Sequence, residues 1–142
     1  MFRIKIYLLT LLFAVFLQQN AIAKNSYFEE GEKLFNQKQY SKSKFKFEKD
    51  IVFNPKNKKS YLYLAKIFNE EKNDFMAQQN LETVILLDPQ NEEALYLLAL
   101  LQIKKSDYNK SQSLINTFTK VCNNLCNKEL ELKKKLENLQ PK

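Results

Sequence analysis

The chain of 142 residues has no His, no Trp, one Gly, three Pro and two Cys, and Arg3 is its only Arg. Each shortage excludes something. Without imidazole there is no side chain that changes charge near neutrality, and the commonest metal ligand is gone as well. A single Gly leaves no Gly-rich loop to cradle a phosphate. Scarce Gly and Pro also argue against turn-rich β architectures, which need both as punctuation. An enzyme made from this inventory would have to rely on carboxylates, lysines or thiols alone, and no constellation of them stands out. No catalytic residue, metal site or cofactor is expected.

What is present suits helices. Hydrophobic residues make up 44% of the chain, enough for one domain with a real core. Arg3 and Lys5 open a positively charged start, and Ile6 to Leu17 is apolar except for Thr10. Ala21-Ile22-Ala23 then places small residues where a signal peptidase needs them. That three-part layout reads as a secretory signal peptide over residues 1–23, cut between Ala23 and Lys24. A retained inner-membrane anchor is the alternative, but such a stretch reaches only about 18 Å against a hydrocarbon layer of ~30 Å. An exported, periplasmic protein is therefore expected. Loss of Arg3 and Lys5 lowers the formal net charge from +7 to +5. Every remaining base is Lys, a flexible point charge ill suited to bidentate recognition. This basic balance reads first as a solvated surface, then as peripheral contact with an acidic membrane face or partner; no nucleic acid is expected.

A period of 34 residues runs through the rest of the chain. Pro55 and Pro89 are 34 apart, as are Asn57 and Asn91. Tyr27, Tyr61 and Leu95 keep the interval, and so do Gly31, Ala65 and Ala99. Ser43, Ala77 and Ser111 are small at matching places, while Phe47, Leu81 and Ile115 are large. Within a unit the apolar spacing is helical: Tyr61, Leu64, Ala65 and Phe68 follow i, i+3, i+4, i+7, and Ala77, Leu81, Val84 and Ile85 do so after a polar interval. Each unit is therefore a helix, a turn and an antiparallel helix, with Pro just beyond the second helix.

These residues resemble the tetratricopeptide repeat family. Its pattern opens with a large aromatic, then takes small residues at two fixed places, an aromatic in the second helix and a closing Pro. Tyr27, Gly31, Ser43, Phe47 and Pro55 match in the first unit, and Tyr61, Ala65, Ala77, Leu81 and Pro89 in the second. The third diverges, with Leu95 at its start and Asn123 in place of Pro. Asp50 departs too, at a place that usually holds a small apolar residue. The resemblance implies an all-α, right-handed superhelical array of three helix pairs over residues 24–57, 58–91 and 92–125. Leu125, Leu132, Leu136 and Leu139 share a stripe at helical spacing, which makes residues 126–142 the capping helix and tail.

In this family the first helices line a concave groove for a peptide or helix. Carried over by position, that groove presents Phe28, Glu32 and Phe35, then Leu62, Tyr63 and Lys66, then Tyr96, Leu97, Leu100 and Ile103. One branch of the family grips a C-terminal carboxylate with Lys, Asn and Arg. The corresponding sites here hold Phe28, Glu32, Tyr63, Glu93 and Leu97, so a chaperone C-terminus is not the expected ligand. Residues 94–101 are apolar on every side, which implies either a hydrophobic ligand or cover by the cap or by a kink in the array. Cys122 and Cys126, four apart, read as a structural disulfide in an exported protein, with free buried thiols and a catalytic pair as alternatives. The function expected is a non-enzymatic envelope scaffold that binds a protein or peptide in its groove. The alternatives are a self-associating homodimeric subunit and a membrane-retained adaptor.

Overall fold

The computed structural model describes residues 27–139, in which every regular element is a helix. The signal segment and its Ala23–Lys24 junction lie outside the described residues. The chain divides into two compact units, Met1–Asn57 and Lys58–Lys142. The first contains α1, described over residues 27–36, and α2, Tyr40–Phe53. The second contains α3 (Lys58–Glu70), α4 (Asp74–Leu87), α5 (Glu92–Lys104), α6 (Tyr108–Val121), a short 3-10 turn (Cys126–Lys128) and α7 (Glu129–Leu139). Lys58 and Glu92, which open α3 and α5, are 34 residues apart.

In the first unit α1 and α2 meet at Gly31. A Cβ built there would lie 2.8 Å from Cε1 and 2.9 Å from Cδ1 of Phe47, whose ring is completely buried. Beside this contact the Ser43 hydroxyl donates to the Gly31 carbonyl at 2.8 Å. That bond satisfies the one polar side chain that close approach would otherwise strand. Asp50, which stands where the repeat usually has a small apolar residue, is fully buried and accepts a 2.6 Å hydrogen bond from the Asn57 side-chain amide. Its counterparts at the repeat interval, Val84 and Phe118, are buried apolar residues. The repeat pattern is broken there and a polar partner compensates.

The turn within each pair is built the same way three times. Lys38, Lys72 and Ser106 adopt φ of 58°, 57° and 59°, the left-handed region that glycine usually fills. Each donates to the carbonyl three residues back, and the following N–H donates to the carbonyl five back, as Gln39 does to Leu34, Asn73 to Phe68 and Asp107 to Gln102. These are Schellman turns without glycine. Asn73 and Asp107 also cap the next helix, their side-chain oxygens accepting from the N–H of Met76 and Lys110. The one glycine of the chain therefore serves close packing, while the strained turns are left to Lys and Ser.

In the second unit α5 lies against α4, α6 and α7. Leu95, Ala99, Ile103, Ile115, Phe118, Leu132 and Leu136 form one buried cluster, with Leu125 packed partly against it. The expected capping stripe is in place as far as Leu136, while the side chain of Leu139 lies outside the described residues. Gln102 is 1% exposed, and its Nε2 has no hydrogen-bond partner among the described residues.

Two substitutions test the role of the glycine. Gly31→Ala is expected to destabilise the first unit by about 1–3 kcal/mol, because the overpacking against Phe47 exceeds the gain in helix propensity. Lys72→Gly is expected to stabilise by about 0.5–1 kcal/mol through relief of left-handed strain. Urea titrations followed by circular dichroism measure both, and equal effects at the two sites would refute the assignment.

Candidate functional site

The residues expected to bind a partner lie on first helices, on α1 in the first unit and, separately, on α3 and α5 in the second. Within the first unit Phe28 packs on Phe47 with ring centres 5.8 Å apart, and Phe35 packs on Tyr40 at 5.4 Å. Glu32 is half-buried on the same helix. These side chains are held by their own helix pair.

In the second unit Leu62, Tyr63 and Lys66 are half-buried on α3, and Leu97 is half-buried on α5. Lys66 links the two helices. Its ammonium pairs with the Glu93 carboxylate at 2.6 Å and stands 5.0 Å from the centre of the Tyr63 ring. Charge at the centre of this face is thus neutralised in place, beside a tyrosine ring and two leucines. Such a surface offers apolar contact and a few oriented polar groups.

Tyr96, Leu100 and Ile103 are placed differently. Ile103 is 4% exposed and belongs to the core, so its expected place in a groove is corrected. Tyr96 and Leu100 pack against the same cluster. The Tyr96 hydroxyl donates toward Glu131 of α7 at 3.3 Å, and Lys128 lies 5.7 Å from the Tyr96 ring centre. Burial pushes the Tyr96 hydroxyl above its ordinary range, and the neighbouring Glu131 carboxylate adds to that. Hydrogen bonding to Lys128 holds Glu131 below its own ordinary value. The all-round apolar character of α5 is therefore met on this side by the cap.

The candidate disulfide brackets a second feature, a loop contact with Glu92 that escaped the sequence reading. Cys122 caps α6, its N–H donating to the Phe118 carbonyl, and its sulfur lies 2.20 Å from that of Cys126, with Cα atoms 5.2 Å apart. The loop they bracket turns three backbone amides inward: the N–H groups of Asn123, Asn124 and Leu125 donate to the Glu92 carboxylate at 2.8, 3.0 and 3.1 Å. Asn123 occupies the place of the prolines at 55 and 89, and a proline could not donate there. The repeat counterpart of Glu92 is Lys58, which pairs instead with Asp88 at 2.7 Å at the end of α4. In both pairs the first residue of the first helix latches the end of the second helix, with the sign of the charge reversed between them. The signal was the coincidence of a missing Pro with an acid at the helix start.

No protein-family model matches the sequence, and no curated relative matches it. Solved structures do. The first tetratricopeptide domain of Spaghetti (RPAP3), bound to an HSP90 peptide, superimposes with a TM-score of 0.73 at 16% identity, over 82% of this chain and 92% of that one. The TPR2B domain of yeast Sti1, in a pHsp70 complex, gives 0.74 at 16% identity, over 82% and 98%. The Yersinia enterocolitica type III secretion chaperone SycD, with a peptide of the translocator YopD, gives 0.70 at 11% identity, over 80% and 89%. The chain has the tetratricopeptide repeat fold.

The latch is testable by pH. Hydrogen bonds from Asn123 and its neighbours hold the Glu92 carboxyl below its ordinary value of 4.5. A depressed acid stabilises the fold above the unfolded value, and that contribution is lost as pH falls through the folded value. The amide proton shifts of residues 123–125 are expected to titrate together, with a midpoint below 4.5, and to lose that titration in Glu92→Gln. Independent titration of the three amides in NMR spectra would sink the assignment.

Proposed function

We propose that the chain is a non-enzymatic, exported scaffold of the cell envelope, which holds a peptide or helix of a partner protein on the first-helix face of its second unit. Leu62, Tyr63 and Leu97 supply the apolar contact, and the Lys66–Glu93 pair fixes the register of the bound backbone. The observation that carries this reading is the internally paired lysine beside a half-buried tyrosine on that face. A charge already neutralised does not demand an ionic ligand, so apolar side chains and backbone groups would dominate recognition. The solved neighbours of the same fold hold peptides, which supports a peptide as the class of ligand. We further propose that Cys122 and Cys126 are joined in the exported protein, where the bond keeps the Glu92 latch closed.

Photocrosslinking from position 63 in living cells tests the scaffold reading. A defined second protein is expected, with capture falling about tenfold or more in Leu97→Ala. Capture unchanged by that substitution, or none at all, would move the site elsewhere. Intact mass of the exported protein is expected to start at Lys24 with both thiols oxidised. Phe75 and Leu86, largely exposed on α4, favour a second reading, self-association. Sedimentation that shows a monomer at high concentration would remove it.

A further inference from the structure

The outward face of α2 has a composition that the peptide groove does not explain. Buried Ser43, Phe47 and Asp50 define the inward side of this helix. On the opposite side, at helical spacing, stand Phe45 and Val52, which are 53% and 74% exposed. Lys42 and Lys49 flank them, and the Lys49 ammonium lies 4.6 Å from the centre of the Phe45 ring. Phe53, 59% exposed, extends the apolar patch at the C-terminal end, where its ring stacks on Tyr27. The first turn of α2 holds no acidic residue, and Lys38 precedes it. Glu48 is the acid on this side, because Asp50 is buried against Asn57.

We propose that this face of α2 docks on an anionic phospholipid surface. Phe45 and Val52 would enter the boundary between headgroups and acyl chains, while Lys42 and Lys49 pair with headgroup phosphates. Three observations select a bilayer over other occupants. The apolar side chains of Phe45 and Val52 stand largely exposed and are themselves the inserting groups. The cations are lysines, whose compact charges suit a diffuse anionic surface better than the bidentate capture of one carboxylate. A second copy of the same face would bring Lys42 and Lys49 against their own like charges. Exposed aromatic and aliphatic residues flanked by lysines are the composition of helices that lie in a membrane interface.

The absence of Trp makes the test direct. The full chain carrying Phe45→Trp is mixed with vesicles of phosphatidylcholine alone, or with one-third phosphatidylglycerol, and emission is read with and without brominated lipid. Lys134→Trp, on the exposed side of α7, is the reference for proximity caused by the N-terminal segment alone. We expect the indole of F45W to shift to the blue and be quenched on anionic vesicles only, while that of K134W stays in water. Adding K42E and K49E to F45W is expected to weaken partitioning by roughly tenfold or more, with the far-UV spectrum unchanged. No shift on anionic vesicles overturns the proposal. So does a shift that is equal on both vesicles or indifferent to charge reversal. A shift with polyglutamate but not with vesicles would overturn the lipid and assign the face to an acidic polypeptide.

Discussion

The distance at which the two helices of a pair can pass each other governs the rest of the structure. In the first pair the Phe47 ring lies 2.8 Å from where a Cβ at position 31 would stand, so any side chain there requires the ring to shift. At the same repeat positions the second and third pairs hold Ala65 with Leu81 and Ala99 with Ile115. The larger partner faces the smaller residue. Volume is conserved across the contact although neither residue is, as close packing at fixed helix separation requires. Once that separation is set, Ser43 can reach the Gly31 carbonyl, and the same approach buries Leu95, Ala99 and Ile115 in the core of the last pair.

Given such a constraint, the single glycine stands where packing favours it, and the turns must do without. Lys38, Lys72 and Ser106 carry left-handed strain of roughly 1 kcal/mol each, offset by two backbone hydrogen bonds per turn and, in two of the three, a side-chain cap on the next helix. The lost entropy of a glycine in the unfolded chain is avoided at the same time. Entropy offsets only part of the strain in such turns. At position 31 the packing term outweighs the helix propensity that glycine gives up.

The fold was legible because the sequence repeats: Pro55 and Pro89, the small residues and the large ones keep one interval, and helical spacing inside each interval points to helix pairs. The capping role of Leu132 and Leu136 was legible as a stripe. The site was less so. Position within a repeat tells which way a residue points but not what else stands there, and α7, from outside the repeat, adds Leu132 and Leu136 to the cluster that holds Ile103 and against which Tyr96 and Leu100 pack. The latch left only an indirect signal, for a different reason. It is made of backbone amides, whose direction depends on a loop conformation and not on residue type.

The third pair shows how a repeat array can end without repeating. Three of its positions depart from the pattern: Leu95 for an aromatic, Gln102 for an apolar residue and Asn123 for Pro. Gln102 leaves a buried amide without a partner among the described residues, at a cost of about 1–3 kcal/mol. Contacts that an internal repeat would receive from its successor must come from elsewhere. They come from α7, which closes the apolar face, and from Glu92, which gathers the three amides after α6. Both act on the same segment, so the end of α6, the sulfur pair and the start of α7 are held as one piece. Closure on that side also directs function: Ile103 is buried in the core and the Tyr96 hydroxyl is turned to Glu131 of α7, while Leu97 on α5 and Leu62, Tyr63 and Lys66 on α3 remain half-exposed. The device that terminates the array thereby narrows the surface on which a partner can be held.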